Sequence, residues 1–69
     1  MNDYYVNKHQ QRNGDHEVHI PGCRYMPDVE NREYLGTFAS CRQAVQEAKN
    51  RHYSNVNGCK YCCLVCHTS

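Results

Sequence analysis

Four of the six cysteines in this 69-residue chain fall within nine residues, Cys59-Lys60-Tyr61-Cys62-Cys63-Leu64-Val65-Cys66-His67. A thiolate is both a nucleophile and a soft metal ligand, so three chemistries compete for this segment. Cys59-Lys60-Tyr61-Cys62, preceded by Asn57-Gly58, has the form of a zinc knuckle. Two thiolates spaced by two residues bracket a tight turn and approach one tetrahedral ion. Cys63-Leu64-Val65-Cys66-His67 formally matches the attachment pattern of a c-type haem. The third reading is a disulfide cluster.

A knuckle supplies two ligands, and a closed structural site needs two more. The best remaining pair is His19-Ile20-Pro21-Gly22-Cys23, whose Pro-Gly turn brings Cys23 back toward His19. We therefore expect one zinc ion on His19, Cys23, Cys59 and Cys62, a cross-link that joins the first third of the chain to its end. Cys41 lies on the inward stripe of a helix and is expected as a buried free thiol. Cys63 and Cys66 stay open, either as core residues or as part of a competing set of Cys62, Cys63, Cys66 and His67. Haem would need a distal ligand, for which Met26 is the candidate, and more apolar surface than this chain holds.

The elements that must position these residues form a small α+β pattern. Residues 4–8 are β-rich, and residues 16–20 alternate, with Val18 and Ile20 on one face and Glu17 and His19 on the other. Asn13-Gly14 between them favours a hairpin whose loop exceeds two residues. A third strand is expected over 33–38, where Gly36 marks a bulge or a close backbone approach. The helix is expected from 41 to 51 or 52. Ser40 and Gln43 form a capping box, and Cys41, Ala44, Val45 and Ala48 make one apolar stripe. Residues 54–58 read as a turn leading into the knuckle.

Composition limits the function classes. A chain this short is expected to form a single zinc-stabilised domain, residues 1–69, because its core is marginal without a staple. It has one Phe, no Trp and two Leu, and its large aliphatic side chains are Val6, Val18, Ile20, Val29, Leu35, Val45, Val56, Leu64 and Val65. Net charge is +1, divided as −2 over residues 1–33 and +3 over residues 34–69. This is not the profile of a polybasic protein that neutralises many phosphates. No basic stretch followed by an apolar one opens the chain, and no run is long enough to span a membrane. We expect a cytoplasmic monomer, in a reducing compartment where cysteines serve as ligands or thiols before they serve as disulfides.

Residues 18–24, the stretch from Glu30 to Phe38, Ser40 with its helix, and Gly58-Cys59-Lys60-Tyr61-Cys62 together resemble the metal-binding domain of the Ada alkylation-repair family. They resemble still more the shorter Ada-like modules attached to nucleases. The similarity runs from about residue 5 to residue 62. It implies a small α+β fold with one zinc at His19, Cys23, Cys59 and Cys62. In Ada four cysteines hold the metal, and the first takes a methyl group from a DNA phosphotriester. That position here is His19, and a neutral imidazole is a poor alkyl acceptor beside a thiolate. The connection over 52–58, and Cys63, Cys66 and His67, have no counterpart in the resemblance, and the basic flank of the knuckle is reduced to Lys60.

The function expected from all this is a non-catalytic structural-zinc module that binds nucleic acid or a protein, with no small-molecule substrate. Arg42, Lys49, Arg51 and Lys60 are the candidate nucleic-acid contacts, with Tyr53 and Tyr61 for stacking. The alternative is a thiol-reactive protein, either an alkyl acceptor in DNA repair or a redox sensor. No Ser/His/Asp order, paired-carboxylate spacing or Gly-rich phosphate loop points to hydrolase or kinase chemistry.

Overall fold

The computed structural model describes residues 1–68. It contains strands β1 (Asn2–Asn7), β2 (His16–His19), β3 (Arg32–Phe38) and β4 (Val56–Gly58), and one helix, α1 (Cys41–Arg51). Short 3-10 turns cover Val29–Asn31 and Leu64–Cys66. The strands form one mixed sheet in the order β3-β1-β2-β4. β1 pairs antiparallel with β2 and with β3, while β4 runs parallel to β2.

The hairpin expected from Asn13-Gly14 is present, with Val6 opposite Val18 and Tyr5 opposite His19. Its loop is long because the turn closes further out: Gly14 N–H donates to the Gln11 carbonyl at 2.8 Å and Gln11 N–H to the Asp15 carbonyl at 2.9 Å. The bulge expected at Gly36 is also there. Tyr4 faces Gly36 and Tyr5 faces Tyr34, so Leu35 is the extra residue on β3. Gly36 takes φ 131°, a conformation that side chains resist.

Helix α1 lies against the sheet on Cys41, Ala44 and Ala48, all buried. Ala44 and Ala48 are small enough to bring the helix axis close to the strands. Its start is fixed by Gln43, whose side-chain oxygen accepts from the backbone N–H groups of Ala39 and Ser40. The core beneath it is Tyr4, Val6, Val18, Leu35 and Val56 with Cys59 and Cys63. Three of the nine large aliphatic side chains do not join it: Val29, Leu64 and Val65 are exposed. The apolar supply is thus even shorter than the sequence suggested, and sulfur fills part of the gap.

Residues 54–58 are not simply a turn, because Val56–Gly58 forms β4 and pairs with His16, Glu17 and Val18. Three residues with one β-branched side chain carry too little pattern to announce a strand, and the partner's open edge supplies the rest. The consequence is large. Parallel pairing makes β2 and β4 end at the same side of the sheet, so the segments that follow them, 20–23 and 59–62, meet.

A candidate metal centre at the ends of two parallel strands

His19 is the last residue of β2, fully buried, and Cys23 follows across the Pro21-Gly22 turn, where Cys23 N–H donates to the Ile20 carbonyl. Gly22 has φ 93°, which this turn requires. Cys59 continues β4, its N–H donating to the Val18 carbonyl at 3.0 Å. Cys62 then comes back across the knuckle, whose closing bond runs from Cys63 N–H to the Cys59 carbonyl at 2.9 Å. The structure therefore gathers His19, Cys23, Cys59 and Cys62, with one donor atom from each lying within 4.8 Å of all the others. Such a group can hold a metal ion.

The donor set is oriented. His19 Nδ1 faces Cys23 Sγ at 3.7 Å and Cys62 Sγ at 3.8 Å, and Cys23 Sγ is 3.9 Å from Cys59 Sγ. Each of the three sulfurs accepts a backbone N–H: Cys23 from Tyr25 at 3.4 Å, Cys59 from Tyr61 at 3.4 Å, and Cys62 from Ile20 at 3.5 Å. These bonds place positive dipole ends where thiolate charge would sit. Burial lowers the His19 imidazole from its usual range, keeping it neutral and able to ligate. Burial also pushes the Cys62 thiol strongly upward, so that without a cation the sulfur keeps its proton.

On the far side of the imidazole, His19 Nε2 lies 3.7 Å from the carboxylate of Glu17, itself buried. Desolvation raises the Glu17 carboxyl above the usual range, partly offset by His67 and Gln11. At 3.7 Å the Glu17–His19 pair is not hydrogen-bonded, but Glu17 stands on the side from which a carboxylate can orient a ligating histidine. The residue was readable, since Glu17 and His19 share one face of an alternating strand.

The remaining cysteines separate from this group. Cys41 and Cys66 form a disulfide, joining the first turn of α1 to the Leu64–Cys66 turn. The expectation of a buried free thiol at Cys41 is thereby overturned. The helix stripe correctly put it inward, but the partner that reaches it comes from the other end of the chain. The pair is thus a disulfide and not the two free thiols expected of a reducing compartment. Cys63 is a buried free thiol. His67 gives its Nδ1 to the Gly58 carbonyl at 3.1 Å, so the competing set of Cys62, Cys63, Cys66 and His67 is not assembled. With Cys66 in a disulfide, the haem attachment pattern is not available either.

The candidate nucleic-acid residues are exposed but not gathered. At 3.6 residues per turn, Arg42 and Lys49 stand about 20° apart around α1, whereas Arg51 points to the opposite side. Arg51 is also paired with Glu47 at 2.9 Å. Tyr53 is not a free stacking face: it lies on His16 with ring centres 3.6 Å apart, and its hydroxyl donates to Glu33. Lys60 and Tyr61 directly follow Cys59 of the His/Cys cluster, and Tyr61 stacks on Tyr25. Sequence reading passed over Arg24 and Tyr25, although Cys23-Arg24-Tyr25 repeats the order of Cys59-Lys60-Tyr61.

No protein-family model, no curated protein and no solved structure matches this chain. Among the described residues no helix is long and apolar enough to cross a membrane.

Proposed function

We propose that the chain is a non-catalytic module folded around one structural zinc ion held by His19, Cys23, Cys59 and Cys62, and that it serves as an interaction domain. The observation that carries this is the spacing of the donor atoms. Tetrahedral coordination at ordinary Zn–S and Zn–N lengths requires S···S near 3.8 Å and S···N near 3.6 Å. Three of the six separations are close to these values, 3.9 Å for Cys23 Sγ to Cys59 Sγ and 3.7 and 3.8 Å from His19 Nδ1 to Cys23 Sγ and Cys62 Sγ, and all six fall within 4.8 Å. Three thiols and an imidazole form a soft, borderline donor set suited to zinc, and four protein ligands leave no position for a catalytic water.

The metal's contribution would be to folding. Ligands 43 residues apart in sequence, His19 and Cys62, have no preformed site in the unfolded chain, so binding energy becomes folding energy. The resemblance to Ada-like modules implies the same four ligand positions, while β4, Val56–Gly58, falls in the connection that has no counterpart in it. Cadmium-113 exchanged into the site tests it directly. A resonance in the range of three sulfurs and one nitrogen supports it. An unchanged, dispersed amide spectrum after strong chelation would sink it.

A second reading draws on the partly exposed positions of Cys23 and Cys62. A thiolate there would act as an alkyl acceptor, taking a methyl cation equivalent from an alkylated phosphate and leaving the phosphate diester anion. Intact mass after exposure of the zinc-loaded chain to a methyl donor separates the two, since the structural module stays unmodified.

A further inference from the structure

We infer that the two ligand loops form a composite surface for single-stranded nucleic acid, a face distinct from the helix. The inference rests on the zinc-module reading and names the partner of that module. Its basis is a duplicated device. Cys23-Arg24-Tyr25 and Cys59-Lys60-Tyr61 each place a ligand, a cation and a tyrosine in the same order. In each, the tyrosine N–H donates to the ligand sulfur at 3.4 Å. The two sulfurs lie 3.9 Å apart. That closeness brings the tyrosines together as a stacked pair, ring centres 4.6 Å apart and planes 27° from parallel.

Both rings remain open to solvent, Tyr25 at 49% and Tyr61 at 66% exposure. Large flat rings stacked in a pair at a surface point to a partner that presents flat faces of its own. Tyr61 forms a wall of two open clefts. One, about 630 Å³, contains Lys60, Tyr25, Glu17 and His67. The other, about 580 Å³, contains Arg24 and the Pro21-Gly22 turn. Each cleft thus combines an aromatic face with one cation. Neither Arg24 nor Lys60 has a carboxylate partner among the described residues, and Arg24 lies 5.9 Å from the Tyr25 ring centre.

Aromatic faces with unpaired cations beside them are what a chain of bases and phosphates requires, with bases stacking and phosphates meeting the cations. A duplex hides its base faces, so it would use the cations alone. An acidic peptide would likewise use the cations and leave the rings idle. A metal ion held by both sulfurs would lock their separation and with it the tyrosine pair, so binding should depend on metal.

The test titrates the zinc-loaded full chain into labelled oligo-dT, oligo-U, a duplex of equal length and a polyglutamate peptide. Anisotropy is read from low to moderate salt, with metal content checked by native mass spectrometry on every sample. We expect single strands to bind more tightly than duplex or peptide, with a log–log salt slope of about −1.4 from two cations. Tyr61→Ala should weaken single-strand binding roughly ten-fold, Tyr61→Phe should leave it unchanged, and Arg24→Gln with Lys60→Gln should abolish most of the salt slope. Comparison of oligo-dT with oligo-U tells DNA from RNA. Zinc-loaded protein that binds no single strand, or binds peptide or duplex equally well, overturns the inference and leaves the zinc module standing. Binding that survives Tyr61→Ala but is lost with Arg42→Gln and Lys49→Gln overturns it in favour of the helix. A chain that folds and binds equally well without metal overturns the module reading itself.

Discussion

Reducing the Cys41–Cys66 disulfide perturbs this protein at a place where the effect can be worked out beforehand. The bond spans 25 residues of sequence, and freeing a loop of that size returns about 3.5 kcal/mol of chain entropy to the denatured state. For a domain of 60–100 residues each kcal/mol moves the melting temperature by about 4–8 °C, so the shift should be on the order of 20 °C. The assay is urea unfolding of the metal-loaded chain with and without a phosphine reductant that spares the metal. The midpoint should fall, and the denaturant slope should rise because the unlinked denatured chain exposes more surface. Cys41→Ala with Cys66→Ala should reproduce the effect with an added loss near 1 kcal/mol, since Cys41 is buried in the helix stripe. A midpoint that moves by less than the equivalent of about 1 kcal/mol would refute the entropic account. An intact mass heavier by two hydrogens before any reductant is added would show that the bond is absent.

Other expectations follow from single contacts. Gly58→Ala places a methyl group 2.7 Å from the Cys63 carbonyl oxygen and from Cys66 Cβ; crowding against backbone cannot relax easily, and thermal melts should show about 1–3 kcal/mol of destabilisation. Glu17→Gln should loosen the orientation of His19 and lower metal affinity about ten-fold in a chelator competition, with the fold intact. His19→Cys keeps four ligands and should retain the metal, whereas His19→Ala should lose it together with the dispersed amide spectrum. The Asp3 carboxylate accepts from Thr37 at 2.7 Å and from Tyr34 at 3.0 Å, which holds its carboxyl below the usual carboxylate value. Its stabilising contribution is therefore complete above that usual value, near pH 4, and is lost as pH falls through the lower folded value. A carbon-13 titration should show the lowered midpoint, and Thr37→Val should move it back up.

Much of this architecture was legible because local rules agree with one another. Asn13-Gly14 announced the hairpin and Gly36 the bulge, each through backbone freedom. Ser40, Gln43 and the Cys41–Ala44–Ala48 stripe announced the helix through capping and a 3.6-residue period. Where reading failed, the deciding interaction was non-local. Val56–Gly58 becomes a strand only because β2 offers an open edge. Cys41 becomes half of a disulfide only because residues 64–66 fold back beneath the start of α1. Tyr53 is covered, not free for stacking, only because His16 lies against it.

The nine-residue cluster at the end of the chain shows the same division. Residue type and spacing alone pointed to Cys59 and Cys62 as one pair of donors and to His19 and Cys23 as the other, because each pair brackets a short turn, and the structure gathers the four. The sequence could not assign Cys63, Cys66 and His67, which share the same chemistry and the same neighbourhood. Tertiary structure decided them: Cys66 to Cys41, His67 to the Gly58 carbonyl, and Cys63 to the core. It also decided that two Cys-basic-Tyr tripeptides meet. The physical reason is the parallel alignment of β2 with β4, a pairing between distant segments that no local pattern encodes.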